Sequence, residues 1–428
     1  EPVWELSLGK DASDFLSSPA VARGRVYVGS KSDGLLCVGQ PGSQQRRTLW
    51  AGQQGGPGRG GSLLSSPLPQ RVIQKWRYPM AANPQHDPKQ FKLGNAPAVI
   101  GHDIYTPITG AYKGLLCLRA DPKNPTEAAC LWSYSTPNDV TLSPAASEQI
   151  VLLADGTKGS ADRHLHALDP ATGSLLWKHP ISPDATGEFV LTDDSILIHD
   201  QPATLTALSW QGATRWSRPL GNIKATACAK GALAVLATES PAALITIDLP
   251  TGAELWRIPL DSPPSTSPVI AGSAIHLGTA DGILTVRLVD GAALWRTQTG
   301  RPARTIAVTL EDLIYISDAG VLSILDLATG AVREQLAADP AVCPLVSWGT
   351  VVYATSANPA TRPTTAPADP IRPADRLLRY SLRTRALGPV VGFSTYSYLG
   401  RLNTPIVQLD RRILLGTESG GLFCGGER

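Results

Sequence analysis

LHALDPATGSLLW, residues 165–177, sets two apolar runs on either side of Asp169-Pro170-Ala171-Thr172-Gly173. Leu165 and Ala167 on one side and Leu175-Leu176 on the other predict two short strands. The segment between them predicts a turn whose Gly takes positive φ at little cost. A hairpin accounts for the Asp and the Gly but not for the Trp that closes it.

The same signature returns as LITIDLPTGAELW (244–256) and LTVRLVDGAALW (284–295), more loosely as LTALSWQGATRW (205–216), and without a Trp as LSILDLATGAVR (322–333). Trp177, Trp216, Trp256 and Trp295 follow one another at 39, 40 and 39 residues. A period of about 40 residues built from short strands predicts a β-propeller, because one four-stranded sheet cannot bury both of its faces without neighbours.

Residues 265–295, STSPVIAGSAIHLGTADGILTVRLVDGAALW, divide most cleanly into four strands, A to D, separated by Gly and Asp turns. Applied along the chain, this template starts near residues 17, 95, 142, 187, 224, 265, 304, 341 and 402, which predicts one all-β domain over 1–428 with nine blades, or eight if one unit is misplaced. The last unit ends at GGLFCGGER with no strand D, so PVWEL (2–6) is expected to supply it and close the ring. Two stretches break the period: the Gly- and Pro-rich residues 51–94, expected to be an inserted loop, and the Pro-rich residues 356–375.

Composition fits this reading. The 428 residues are 17% charged and 43% hydrophobic, with 40 Gly and 36 Pro, as many turns and few helices require. A formal net charge of +2 gives no reason to expect nucleic acid, and no apolar run approaches the roughly 18 residues of a membrane-spanning helix. The first residues, Glu1-Pro2-Val3-Trp4, lack a Met, so a removed leader and a periplasmic or extracellular location are expected. Six Cys show no CxxC, haem or zinc spacing. Three of them, in GLLCV, GLLCL and GLFCG, stand where Ala167 stands and read as small buried residues, and strand alternation sets Cys117 and Cys130 on opposite faces.

The hairpins resemble the repeats of the pyrroloquinoline quinone (PQQ) propeller superfamily, which end in A-L-D-x-x-T-G-x-x-x-W. The match runs through Ala167, Leu168, Asp169, Thr172, Gly173 and Trp177, with Asp248, Thr251, Gly252 and Trp256 in a second copy. The resemblance implies that each Trp docks its blade on the next, and gives that role to Trp4, Trp50, Trp132, Trp177, Trp216, Trp256 and Trp295. It also implies weaker or different junctions after the units ending near Arg333 and Leu387. PQQ-dependent alcohol dehydrogenases of this superfamily carry an adjacent Cys-Cys pair and acidic and Asn calcium ligands. This sequence has no Cys-Cys pair, and no such ligand cluster carries over.

No GxSxG, HExxH or P-loop signature is present, and Asp193-Asp194 and Glu311-Asp312 fall at predicted A–B turns. His164 and His166, two apart on a predicted strand, share a face but lack further ligands by spacing, and Asp155 and Asp162 in DGTKGSAD do not follow a calcium-loop pattern. The expectation is therefore no catalytic residue, no cofactor and no metal. A non-catalytic, exported scaffold that binds a protein partner is the first reading, a propeller binding a carbohydrate or small molecule the second, and a PQQ-dependent dehydrogenase the third. In a four-stranded blade the D–A connections and B–C turns share one face. TPITGAYKG (106–114), DGTKGSADR (155–163), 356–375 and the insertion are expected to gather there. Arg59, Arg71, Lys75, Arg77, Lys89 and Lys92, against Asp87 alone over residues 53–94, make the insertion a candidate for an acidic protein surface or anionic polymer. Trp76 in QKWRYP is the competing strand-D Trp and would move the insertion to the other face.

Overall fold

Val151–Ala154 is buried at all four positions, and Arg163–Leu168 beside it is buried at all but His164. Such runs need cover on both faces, and neighbouring sheets provide it. The outer strand Leu175–Ile181 instead alternates exposed and half-buried residues, as an edge strand with one covered face should. Ala145–Ala146, the innermost strand, completes an antiparallel sheet in sequence order.

A computed structural model describes residues 20–22, 25–30, 34–38, 48–50, 73–78, 85–86, 90–120, 128–229, 233–337, 345–347, 350–355, 376–382, 386–389, 407–409, 412–416 and 422–426. Every regular element among the described residues is a strand. The four-stranded meander recurs over 189–219, 222–259, 269–298, 303–337 and 345–389. A further sheet runs Ala98–Ile100, Asp103–Gly110, Gly114–Ala120, Ala128–Ser135, with Thr48–Trp50 beside its first strand and Phe91–Leu93 against the end of its second.

The chain divides into two compact units, 1–47 and 48–428. The first holds an antiparallel sheet of Ala20–Ala22, Arg25–Ser30 and Gly34–Val38, in which Tyr27 pairs with Ala20 and Cys37. Thr48–Trp50 is the segment expected to be the fourth strand of that sheet. It pairs with Ala98–Ile100 instead, so Trp50 does not occupy the strand-D position given to it.

Residues 2–6, expected to close the last sheet, lie outside the described residues. In that sheet Leu422–Gly426 pairs with Ile73–Tyr78, and Cys424 stands opposite Trp76. That register is the repeat's own: Cys117 faces Trp132, Ala167 faces Trp177, Ala207 faces Trp216, Thr246 faces Trp256 and Thr285 faces Trp295, each with a bulge one step later. Residues 51–94 are therefore not a plain loop, since they contain this strand and Phe91–Leu93. Trp4 and residues 356–375 lie outside the described residues.

The core lies between sheets. One cluster joins Leu152, Ala154, Leu165 and Ala167 to Phe189, Ile196 and Leu208 of the next sheet, with Trp177 against it. Five junctions share one device. The indole Nε1–H of Trp132, Trp177, Trp216, Trp256 and Trp295 donates to the carbonyl of Pro170, Trp210, Leu249, Leu288 and Leu327 in the following sheet, at 3.0, 2.9, 2.8, 3.1 and 3.0 Å. Asp169 shapes the receiving turn, its Oδ1 accepting from the N–H groups of Ala171 and Thr172 and from the Thr172 hydroxyl. Gly173 has φ +71°, and a Cβ there would meet the Trp132 ring at 2.5 Å. The motif's Gly thus serves both its own turn and its neighbour's Trp.

The sheet 303–337 departs from this device. Ile324 pairs with Glu334, so Glu334 takes the Trp place, and Arg333 sits at the bulge, where it reaches Asp312 and Asp326 of its own sheet.

Candidate functional site

Two turns between strands B and C meet at residues 135–140, the connection leaving Ala128–Ser135. The first turn is shorter than the expected 106–114, because Asp103–Gly110 and Gly114–Ala120 extend into it and leave Ala111, Tyr112 and Lys113. The second spans 155–162 between Val151–Ala154 and Arg163–Leu168. Asp139 joins them: its Oδ1 accepts from Gly110 N at 2.9 Å, and its carbonyl accepts from Gly156 N at 2.7 Å. Thr136 N donates to the Lys113 carbonyl, and Asn138 Nδ2 lies within 3.0–3.3 Å of the Ala161 and Asp162 carbonyls and Asp155 Oδ2. Two adjacent sheets therefore present one tied surface.

This surface holds a cleft of about 270 Å³ lined by His86, Tyr112, Lys113, Tyr134 and Thr136 among others. His86 arrives from the segment after Ile73–Tyr78 and is bonded to the Tyr78 hydroxyl through Nδ1 at 2.8 Å. Its ring meets Tyr112 edge-on, with centroids 4.8 Å apart, and burial pushes its pKa down. A neutral imidazole and tyrosines give the cleft polar tips on apolar bodies.

Behind the cleft lies a buried polar group. The Tyr134 hydroxyl is 3.0 Å from His166 Nδ1. His166 Nε2 is 3.5 Å from Asp155 Oδ1, and both side chains are almost wholly buried, at 2% and 0% exposure. Asp155 Oδ1 also accepts from His164 N at 2.6 Å. Burial pushes the Asp155 carboxyl up, but His166, the His164 N–H and Asn138 outweigh it, so its pKa lies below the ordinary value. Arg163, buried at 2% exposure, points the other way and donates to the carbonyls of Ser182, Ala185 and Thr186. It pins the connection into the next sheet.

The residues singled out in the sequence are distributed unevenly over this face. His164, His166, Asp155 and Asp162 come together at it. Lys75 and Arg77 lie in the strand Ile73–Tyr78, and Lys92 is exposed in Phe91–Leu93. They do not form the basic loop expected, because their segment pairs into sheets. Arg59, Arg71 and Lys89 lie outside the described residues. Cys117 is buried and Cys130 half-buried, and no disulfide joins them. Tyr78, His86, Asn138 and Asp139 were missed by sequence reasoning. Asn138-Asp139, a polar pair directly after the sequence Ser135-Thr136-Pro137, was the available signal for the last two.

A search of curated protein sequences finds no match. Among solved structures, the computationally designed Ika8 protein superposes with a TM-score of 0.61 at 12% identity, over 83% of this chain and 100% of that one. Sqt1 of Saccharomyces cerevisiae gives 0.59 at 11%, over 84% and 100%. BamB from Moraxella catarrhalis gives 0.49 at 13%, over 86% and 93%. A family model described as outer membrane protein assembly factor BamB matches residues 76–229 and 203–358, together more than half of the sequence. The repeated hairpins, their Trp-to-turn junctions and this match make one statement: the chain belongs to that family of PQQ-like β-propellers.

Proposed function

We propose that this protein is a non-catalytic, exported interaction subunit that grips a protein partner with the face built from residues 111–113, 135–140 and 155–162. The observation that carries the reading is the tying of two adjacent sheets through Asn138 and Asp139 around the His86–Tyr112–Tyr134 cleft. Loops held on a rigid scaffold are where binding concentrates, and a tied surface loses less entropy on docking. The match to the BamB family model supports an assembly role in the periplasm. The pairing of Leu422–Gly426 with Ile73–Tyr78 and the eight sheets of 48–428 support a ring of eight blades closed by that strand.

A photo-crosslinking amino acid placed at Tyr112 or Lys113, compared with one at Ala171 in a C–D turn, tests the reading in the native source. Discrete adducts to one protein from positions 112 and 113 but not 171 are expected. Adducts from 171 alone would show that the partner uses the other face, and dye-linked dehydrogenase activity after adding PQQ and calcium would overturn the non-catalytic assignment.

A further inference from the structure

We infer that Asp155, His164 and His166 form a binding site for a divalent transition metal, zinc by its donor set. The sequence spacing supplies only the two histidines. Strand pairing supplies the third donor, because Asp155 directly follows Val151–Ala154 and lies opposite His164, with Asp155 N bonded to the His164 carbonyl and Asp155 Oδ1 to His164 N. The donor atoms of all three lie within 4.8 Å of one another.

Tetrahedral coordination at metal–ligand distances of about 2.0–2.1 Å sets donors about 3.3–3.4 Å apart. His166 Nε2 and Asp155 Oδ1 stand at 3.5 Å, already close to that edge. His166 Nε2 makes no well-formed hydrogen bond although the residue is only 2% exposed, facing Asp155 Oδ1 at the long distance of 3.5 Å, and coordination would satisfy it. The other ring nitrogen is held by the Tyr134 hydroxyl, and the second carboxylate oxygen of Asp155 faces the Asn138 amide at 3.3 Å. Oriented ligands with outer partners of this kind are the arrangement metal sites use. His164 supplies the remaining adjustment. Its side chain is 19% exposed, which opens a path from solvent, and its Nδ1 lies 3.2 Å from the Asp162 carbonyl.

Asp162, whose carboxylate is 3.9 Å from His164 Nδ1, or a water completes the fourth position. Two imidazoles and a carboxylate suit zinc over magnesium or calcium, which prefer oxygen alone. The bound ion would fasten the turn 155–162 to its sheet. This inference does not depend on the identity of any partner.

The test is titration of chelator-treated full-length protein with zinc chloride by calorimetry, and with cobalt chloride followed by visible absorption. One equivalent of zinc and the intense bands of four-coordinate cobalt are expected. His164→Gln should weaken binding at least about tenfold, Tyr134→Phe about tenfold, and His179→Gln, whose ring is bonded to Asp200 of the following sheet, not at all. Thermal melts of each apo variant check folding, and His164→Gln decides the matter if changes at the buried Asp155 or His166 prevent it. Absence of saturable binding, binding unchanged in His164→Gln, or a weak six-coordinate cobalt spectrum would overturn the site.

Discussion

The ring of Trp216 lies so close over Gly252 that a Cβ at Gly252 would stand 2.7 Å from Trp216 Cδ2, while the indole N–H donates to Leu249 O in the same turn at 2.8 Å. Gly252 has φ +69°, so the position excludes a side chain on two independent grounds.

These two grounds separate in a double-mutant cycle. Trp216→Ala should cost about 3–5 kcal/mol by loss of a buried aromatic and its hydrogen bond. Gly252→Ala should destabilise the native protein by more than about 1 kcal/mol, and by clearly less in the Trp216→Ala background, where only the backbone term remains. Denaturant unfolding of the four proteins measures the coupling. Additive effects would mean that the ring yields freely.

His276 carries a pH signature. It is 1% exposed, its Nδ1 bonds the Thr285 hydroxyl at 2.8 Å, and burial lowers its pKa to about 4. An unfolded His takes up its proton near pH 6.5, so between about 6.5 and about 4 the unfolded state binds more protons. Stability should fall as pH drops through that window and level off below it, by about 3 kcal/mol for this group. His276→Gln should flatten the fall by that amount in melting curves recorded across the window. Parallel curves for the two proteins would assign the loss to other groups.

The pairing of Leu422–Gly426 with Ile73–Tyr78 predicts where truncation is tolerated. A chain beginning at residue 48 should keep the cooperative melt of the 48–428 unit. A chain beginning at residue 80 leaves Leu422–Gly426 without its outer partner and should melt several degrees below one beginning at residue 52, both lacking Thr48–Trp50, since about 1 kcal/mol shifts a large domain by about 2–4 °C. Calorimetry of the three truncations measures it. Equal melting of the last two would show that this strand adds little.

The sequence by itself determined the repeat and its parts. The period of about 40 residues, the turn chemistry of Asp169 and Gly173 and the closing Trp are local, and local chemistry is written directly in spacing. The hairpin LHALDPATGSLLW is complete without reference to distant residues. Tertiary structure decided the rest. Two Trp-bearing segments near the start, PVWEL and QKWRYP, carry the same pattern, and only strand pairing with Leu422–Gly426 distinguishes them, because register matching between remote segments leaves no mark in either one. The same holds at the candidate site. His164 and His166 share a face by alternation alone, but Asp155, Tyr134 and Asn138 reach them only when a strand, the neighbouring sheet's edge and a connection fold onto one point. A pairwise spacing describes one strand, whereas a ligand set is a property of several.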